Sequence, residues 1–266
     1  MTRIKTDIHR VYRGIMMLNR NVLWILLGFA LMSMIPGIAG AQAYRQTDDW
    51  KFTFTPFAWL VSISGSSIIG DTQSDLDLNF TDEILDNLNM GVMGDFRAEK
   101  GPWAIQTNLV WAELEADAIL GDTALNVELT QWIVELDGRY RLNDVWELQA
   151  GLRYYDMSVK AGLTGVINIT ADVGDDWVDP YIGFVSSMPM NDNWTFKLAG
   201  NIGGFGVGSD FSWQAQALFD YRFGKTNSVI FGWRHLDFDY DEGVGADRFA
   251  MDTYMSGPII GVKLCF

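Results

Sequence analysis

The chain reads as an all-β protein: an antiparallel transmembrane β-barrel of about ten strands, with eight or twelve as alternatives, behind an N-terminal targeting segment. Three observations predict it. From Trp50 onward, strand-length blocks alternate apolar and polar residues with period two. The links between blocks alternate short and long. The last block is an alternating strand that closes on an aromatic residue, Phe266.

The targeting segment comes first. Residues 22–35 are mostly apolar and uncharged, Arg13 and Arg20 precede them, and the small residues Ala39, Gly40 and Ala41 follow. A basic flank, a short apolar run and a small-x-small end form a secretory signal pattern. Cleavage is expected before Gln42, leaving a signal peptide over 1–41 and a barrel over 42–266. Met16 and Met17 offer alternative starts. The apolar run is shorter than the roughly 20 residues that span a bilayer as a helix. No cysteine lies near the cleavage point, so a lipoprotein anchor is excluded.

Composition narrows the remainder. Glycine is frequent (27) and proline scarce (6), which suits strands and tight turns better than a helical bundle. The single cysteine, Cys265, cannot form an internal disulfide. The formal charge is −15. The segment to Ala41 holds five of the basic residues and one acid, so the rest carries 14 basic and 33 acidic residues, a charge of −19. That acidity excludes nucleic acid as a partner, which needs a basic face.

The blocks run over 50–63, 89–98, 103–115, 126–141, 145–158, 177–188, 194–205, 211–223, 228–240 and 249–266. The clearest is 211–223, where Phe211, Trp213, Ala215, Ala217, Phe219, Tyr221 and Phe223 alternate with Ser212, Gln214, Gln216, Leu218, Asp220 and Arg222. Short links fall at 99–102, 142–144, 189–193 and 224–227, long ones at 64–88, 116–125, 159–176, 206–210 and 241–248. Short turns belong to the periplasmic end of an outer-membrane barrel and long loops to the outside. Trp50, Trp103, Trp146 and Trp194 open strands at the short-turn end, and Tyr140, Phe223 and Phe266 close strands there. Aromatics gathered at one end form an interfacial girdle. In the first long link, 74–80 also alternates and extends a hairpin beyond the membrane. Residues 81–88 predict a short helix, with Thr81 as N-cap and Asp82 and Glu83 in its first turn.

The candidate site is the lumen. Asp-x-Arg pairs recur at Asp95/Arg97, Asp137/Arg139 and Asp220/Arg222, and a second recurrence aligns Gly151, Arg153 and Asp156 with Gly232, Arg234 and Asp237. A charge on the lipid face costs about 2–4 kcal/mol for Arg or Lys at the midplane, so these side chains are expected inside. Asp95, Arg97, Asp137, Arg139, Arg153, Asp220, Arg222, Arg234 and Asp237 are the expected internal charge network. About eight strands give an interior filled by side chains and about sixteen an aqueous channel, so ten favours filling over an ion path.

Acids crowd the long-loop side: Asp71, Asp75, Asp77, Asp82, Glu83, Asp86, Glu113, Glu115, Asp117, Asp122, Asp172, Asp175, Asp176, Asp239, Asp241, Glu242 and Asp247. They form a solvated acidic surface, with divalent cations bridging them to lipopolysaccharide phosphates as the alternative. No stretch matches a calcium-loop pattern, and no metal ligand or cofactor site emerges. A hydrolase at the outer rim is the remaining class. Omptin proteases also have ten strands, with carboxylates and histidines at that rim. Here the only histidine beyond the targeting segment is His235, with Asp237 two residues on. The phase puts His235 near the lipid face or at a bulge and Asp237 on the opposite face, with no nucleophile nearby. The glycine-rich run 203–208 follows a strand in a chain with no βα unit, so it is a turn and not a phosphate loop.

Several segments together resemble a group of largely uncharacterised proteobacterial outer-membrane barrel proteins. They are Thr55-Pro56-Phe57-Ala58-Trp59-Leu60, the stretch from Phe80 to Leu88, the stretch from Gly94 to Trp103, Trp177-Val178-Asp179-Pro180, and the run from Gly203 to Asp210. The resemblance implies a barrel and no assigned substrate; likeness to small barrels of the outer-membrane protein A and W kinds is architectural. The function expected is a non-enzymatic structural or surface-interaction barrel, with a narrow pore for small solutes as the alternative. Its expected partners are outer-membrane lipid, lipopolysaccharide and, through Phe266, the barrel-assembly machinery.

Overall fold

Lipid leaves no backbone group a partner outside the protein, so a spanning sheet must close on itself. The computed structural model does so. It describes residues 49–78, 84, 87–120, 123–164 and 169–266. The targeting segment lies outside them. So does the helix expected over 81–88, apart from Ile84, Asn87 and Leu88, the last of which already opens a strand.

Ten strands form the wall in chain order. They are β1 (Lys51–Trp59), β4 (Leu88–Lys100), β5 (Trp103–Leu120), β6 (Thr123–Arg141), β7 (Trp146–Thr164), β8 (Ile169–Pro189), β9 (Trp194–Gly203), β10 (Phe211–Arg222), β11 (Ser228–Glu242) and β12 (Phe249–Cys265). Every pairing is antiparallel, and β1 closes the barrel against β12 with Thr53 opposite Cys265. Phe266 adds to this seam: its N–H and C=O exchange 3.0 Å hydrogen bonds with Phe52. The terminal strand is therefore the closing strand.

Two further strands, β2 (Ser62–Ile69) and β3 (Thr72–Leu78), lie above the wall. β2 continues β1 along β12 without change of register: Trp59 faces Ile259 and Ser62 faces Ser256. Gly257 permits the join, because a Cβ there would lie 2.0 Å from the Leu60 carbonyl oxygen. β3 then returns along β2, which is the external hairpin the alternation of 74–80 predicts. The β1–β4 ladder ends at Pro56 opposite Gly94.

Two of the expected long loops are instead strand. β5 and β6 stay paired up to Leu120 opposite Thr123, and β7 and β8 up to Leu163 opposite Ile169. Beyond the membrane both faces are wet, so the alternating pattern fades there. The backbone ladder has no reason to stop where the pattern does.

The outer face carries the lipid contact. Leu136, Leu148, Leu152, Ile182, Phe231 and Ile260 are exposed on it. Two aromatic girdles bound this band. At the short-turn end, ring pairs include Trp103–Tyr140 and Trp194–Tyr221, both 4.7 Å between centroids. At the other end are Trp111–Trp132 at 5.5 Å and Trp213–His235 at 4.6 Å. Trp103 and Trp111 on β5 are eight residues apart, as are Trp132 and Tyr140 on β6. At about 3.4 Å per residue and a tilt near 40°, that is a height of roughly 20 Å, close to the apolar band of outer-membrane barrels.

Candidate functional site

Strand parity decides which side chains reach the lumen, and the lumen divides into two layers. The outer layer is apolar. Tyr155 and Trp177 stack at 4.8 Å, Trp177 and Tyr240 at 4.0 Å, and Phe238 packs on Tyr155 at 5.1 Å. Ile133, Met157, Leu236 and Met255 are buried with them, as is Ile84 from the segment between β3 and β4. The external β9–β10 connection folds over this layer. Asp179 accepts the Ser209 N–H at 2.7 Å, and the Trp177 indole donates to the Ser209 hydroxyl at 3.0 Å. Gly208 passes so close that a Cβ would lie 2.6 Å from the Val178 carbonyl oxygen.

At mid-height a charge cluster crosses the barrel. Glu135 on β6 binds two guanidiniums through one oxygen: Arg153 Nε at 2.8 Å and Arg234 Nη2 at 3.0 Å. Arg153 also donates to Asn201 at 2.8 Å and lies over the Tyr181 ring at 4.9 Å. Arg234 donates to Gln214 and Asn108 and lies over the Trp59 ring at 4.6 Å. Arg153 is 0% and Arg234 1% exposed. Two charges this deep are tolerable only because every guanidinium nitrogen has an acceptor.

Below this cluster the lumen opens into a polar vestibule of about 340 Å³ toward the short-turn end. Arg97 binds Glu147 in bidentate fashion (2.8 and 3.0 Å) and Glu99 at 2.9 Å. Arg141 reaches the same two glutamates at 3.3 Å. Asp137 pairs with Arg139 at 2.7 Å and accepts the Tyr181 hydroxyl at 3.1 Å. Across the vestibule, one oxygen of Asp220 takes both Lys197 (3.4 Å) and Lys263.

Eight of the nine expected network residues sit on the inward parity of their strands, though not always in the expected pairs. Only Asp137/Arg139 bond to each other. Asp95 accepts the Gln106 amide instead, Arg97 turns to the glutamates, and Arg222 donates to the Asp192 carbonyl in the short β8–β9 turn. Spacing along the strand does not decide this, since Glu99 stands as far along β4 from Arg97 as Asp95 does; the bidentate contact to Glu147 turns the Arg97 guanidinium to the glutamate side. Asp237 is the exception, and the expectation fails there. The β10–β11–β12 register runs without a bulge, so the inward parity passes through Arg234, Leu236 and Phe238. Asp237 therefore lies on the outer face between Trp213 and Tyr254, and His235 shares that face. Sequence reasoning missed Glu99, Glu135, Arg141, Glu147, Lys197 and Lys263. On β4, β6 and β7 their parity matched the named residues, whereas β9 and β12 held no named residue, and no repeated motif marked any of them.

Among the described residues no three acidic, histidine or cysteine side chains converge as a metal site. Outside the membrane band, the Tyr240 hydroxyl donates to Asp175 at 2.7 Å, and burial together with that carboxylate raises its pKa above the ordinary tyrosine value. Arg248 is bidentate to Asp241, which raises its pKa further.

A closed ten-stranded wall, an outward apolar band between two aromatic girdles and an internal charge network define an integral outer-membrane β-barrel. Comparison with solved structures agrees. The outer membrane protease OmpT of Escherichia coli matches with a TM-score of 0.54 at 11% identity, over 85% of this chain and 99% of that one. The attachment invasion locus protein Ail of Yersinia pestis, solved with the heparin analogue sucrose octasulfate, covers 83% of this chain and all of its own (TM-score 0.40, 8% identity). The toluene transporter TodX of P. putida covers 82% and 90% (TM-score 0.31, 10% identity). These likenesses concern the fold alone. Comparisons with protein families and with curated proteins return no match.

Proposed function

We propose that this is a non-enzymatic barrel with a structural or surface-interaction role, and that it is corked rather than conducting. The observation that carries the reading is the lumen itself. The Arg153–Glu135–Arg234 cluster and the aromatic layer above it are buried against each other. An ion crossing that aromatic layer would leave water for a few buried polar groups, among them Gln131 and Asp179, which cannot replace a hydration shell. The tall β5–β6 and β7–β8 hairpins are the surface offered to partners outside. His235 on the outer face has Ser256 opposite it on β12, and that hydroxyl is engaged by the Trp233 indole at 2.9 Å, which favours the non-enzymatic reading.

The partners proposed are outer-membrane lipid and lipopolysaccharide along the apolar band, and the barrel-assembly machinery at the closing strand that ends in Phe266. Divalent cations would bridge external carboxylates to lipid phosphates and not fill an all-protein site. Kinship with the uncharacterised proteobacterial barrels is part of the same proposal and rests on the motifs quoted above.

The test is single-channel conductance of the mature chain, residues 42–266, refolded into planar bilayers at neutral pH. Silence from protein shown to be folded by heat-modifiable gel mobility is expected. Discrete, reproducible openings would establish a narrow pore instead, and Arg153→Glu or Arg234→Glu should then shift ion selectivity.

A further inference from the structure

The vestibule carries a charge unlike that of the rest of the molecule. The chain as a whole is at −15. The lining holds Asp95, Glu99, Glu135, Asp137 and Glu147 against Arg97, Arg139, Arg141, Arg234, Lys197 and Lys263, five acids to six bases. Adding Asp220 and Arg153, which bond to this set from behind it, keeps an excess of one positive charge. Cations outnumber carboxylates at two places: Arg153 and Arg234 share one oxygen of Glu135 in the buried mid-height cluster, and Lys197 and Lys263 share one oxygen of Asp220 in the vestibule. Two ammonium groups drawn to one oxygen repel each other and are left with unused donors, since each carries three N–H bonds.

The position is accessible from one side only. The Lys197 and Lys263 side chains are 32% and 23% exposed, whereas that of Arg153, deeper in the lumen, is 0% exposed. The route therefore runs from the short-turn, periplasmic end and stops at the mid-height cluster. At this height the β1–β4, β9–β10 and β11–β12 ladders are continuous, so an acyl chain cannot enter through the wall. What reaches the lysines is a free solute small enough for about 340 Å³.

We propose that the vestibule is a periplasm-facing binding site for a small solute bearing an oxyanion, either a carboxylate or a phosphate group. The oxyanion sits between Lys197 and Lys263 and takes the donors that Asp220 cannot. A low-dielectric wall around a locally positive pocket focuses the field and attracts such a group despite the acidic exterior.

The experiment is isothermal titration of the folded protein in a zwitterionic detergent with inorganic phosphate and, separately, with succinate. Saturable one-site binding of at least one is expected, and which of the two binds more tightly assigns the group. Lys197→Gln and Lys263→Gln should each weaken it by about tenfold, the loss of one charge-assisted hydrogen bond. Asp220→Asn should tighten it, because the competing carboxylate is gone. Lys160→Gln, on the outside, should leave it unchanged. No saturable binding by folded protein, or equal affinity in the wild type and all four variants, would overturn the proposal. The opposite sign expected for Asp220→Asn separates a lost ligand from a damaged fold.

Discussion

Replacing Glu135 by glutamine removes the one carboxylate that holds two buried guanidiniums apart. Arg153 and Arg234 reach the same oxygen at 2.8 and 3.0 Å, and neither guanidinium has appreciable contact with water. Without the charge, two cations face each other in a desolvated layer. Breaking a buried ion pair by removing one partner costs about 3–5 kcal/mol. The exposed pair Lys160–Glu128, at 3.3 Å and with side chains 50% and 35% exposed, provides the internal control. Glu128→Gln should cost less than about 1 kcal/mol, because solvent screens that pair. The assay is urea unfolding of residues 42–266 in phospholipid vesicles, followed by the fluorescence of their ten tryptophans. A loss below about 1 kcal/mol for Glu135→Gln, equal to that of Glu128→Gln, would refute the claim that the mid-height cluster is dry and tightly coupled. Replacing all three residues together (Glu135→Leu, Arg153→Met, Arg234→Met) should recover most of the loss, since apolar side chains of similar volume need no partner.

Three further outcomes follow from the geometry. On the outer face Asp156 lies directly opposite Asp176, and Asp156→Asn should stabilise the barrel by about 0.2–1 kcal/mol in the same unfolding assay, less at high salt. Gly232→Ala would place a Cβ 2.0 Å from the Ala217 carbonyl oxygen, so it should cost about 1–3 kcal/mol or prevent formation of the heat-modifiable folded band. Asp179→Ala removes the acceptor of the buried Ser209 N–H, costing about 1–3 kcal/mol locally, and mass spectrometry should find new protease cleavage within 204–210.

The wall was legible because lipid writes the alternating pattern directly. Along β10 the run from Phe211 to Tyr221 has one face for hydrocarbon and the other for polar partners, and the structure keeps that division. Where lipid ends, so does the signal: the outer reaches of β5–β8 looked like loops because nothing constrains either face there. The lumen was legible as parity but not as partnership. Arg97 finds Glu147, fifty residues away, because the barrel curves β4 and β7 toward each other, and no local spacing encodes that approach. Asp237 was misplaced for a related reason. Polar residues beside His235 suggested a slip in phase, whereas Asp237 is polar because it stands at the outer girdle beside Trp213, where the wall meets headgroups and water.

The strands also differ in length from one side of the barrel to the other. β7 runs eight residues past Asp156, which faces Trp132 of the outer girdle, about 27 Å along the strand and, with the tilt, roughly 20 Å of height. β9 ends at Gly203, one residue beyond Ile202, which sits opposite Trp213 in that same girdle. The barrel therefore has a front and a back. A large object arriving from the medium meets the β5–β8 palisade first. The β9–β10 side is nearly level with the bilayer surface and is reached most readily by a neighbour already moving in the plane of the membrane. A barrel with a rim this uneven offers neighbours in the membrane a different height on each side.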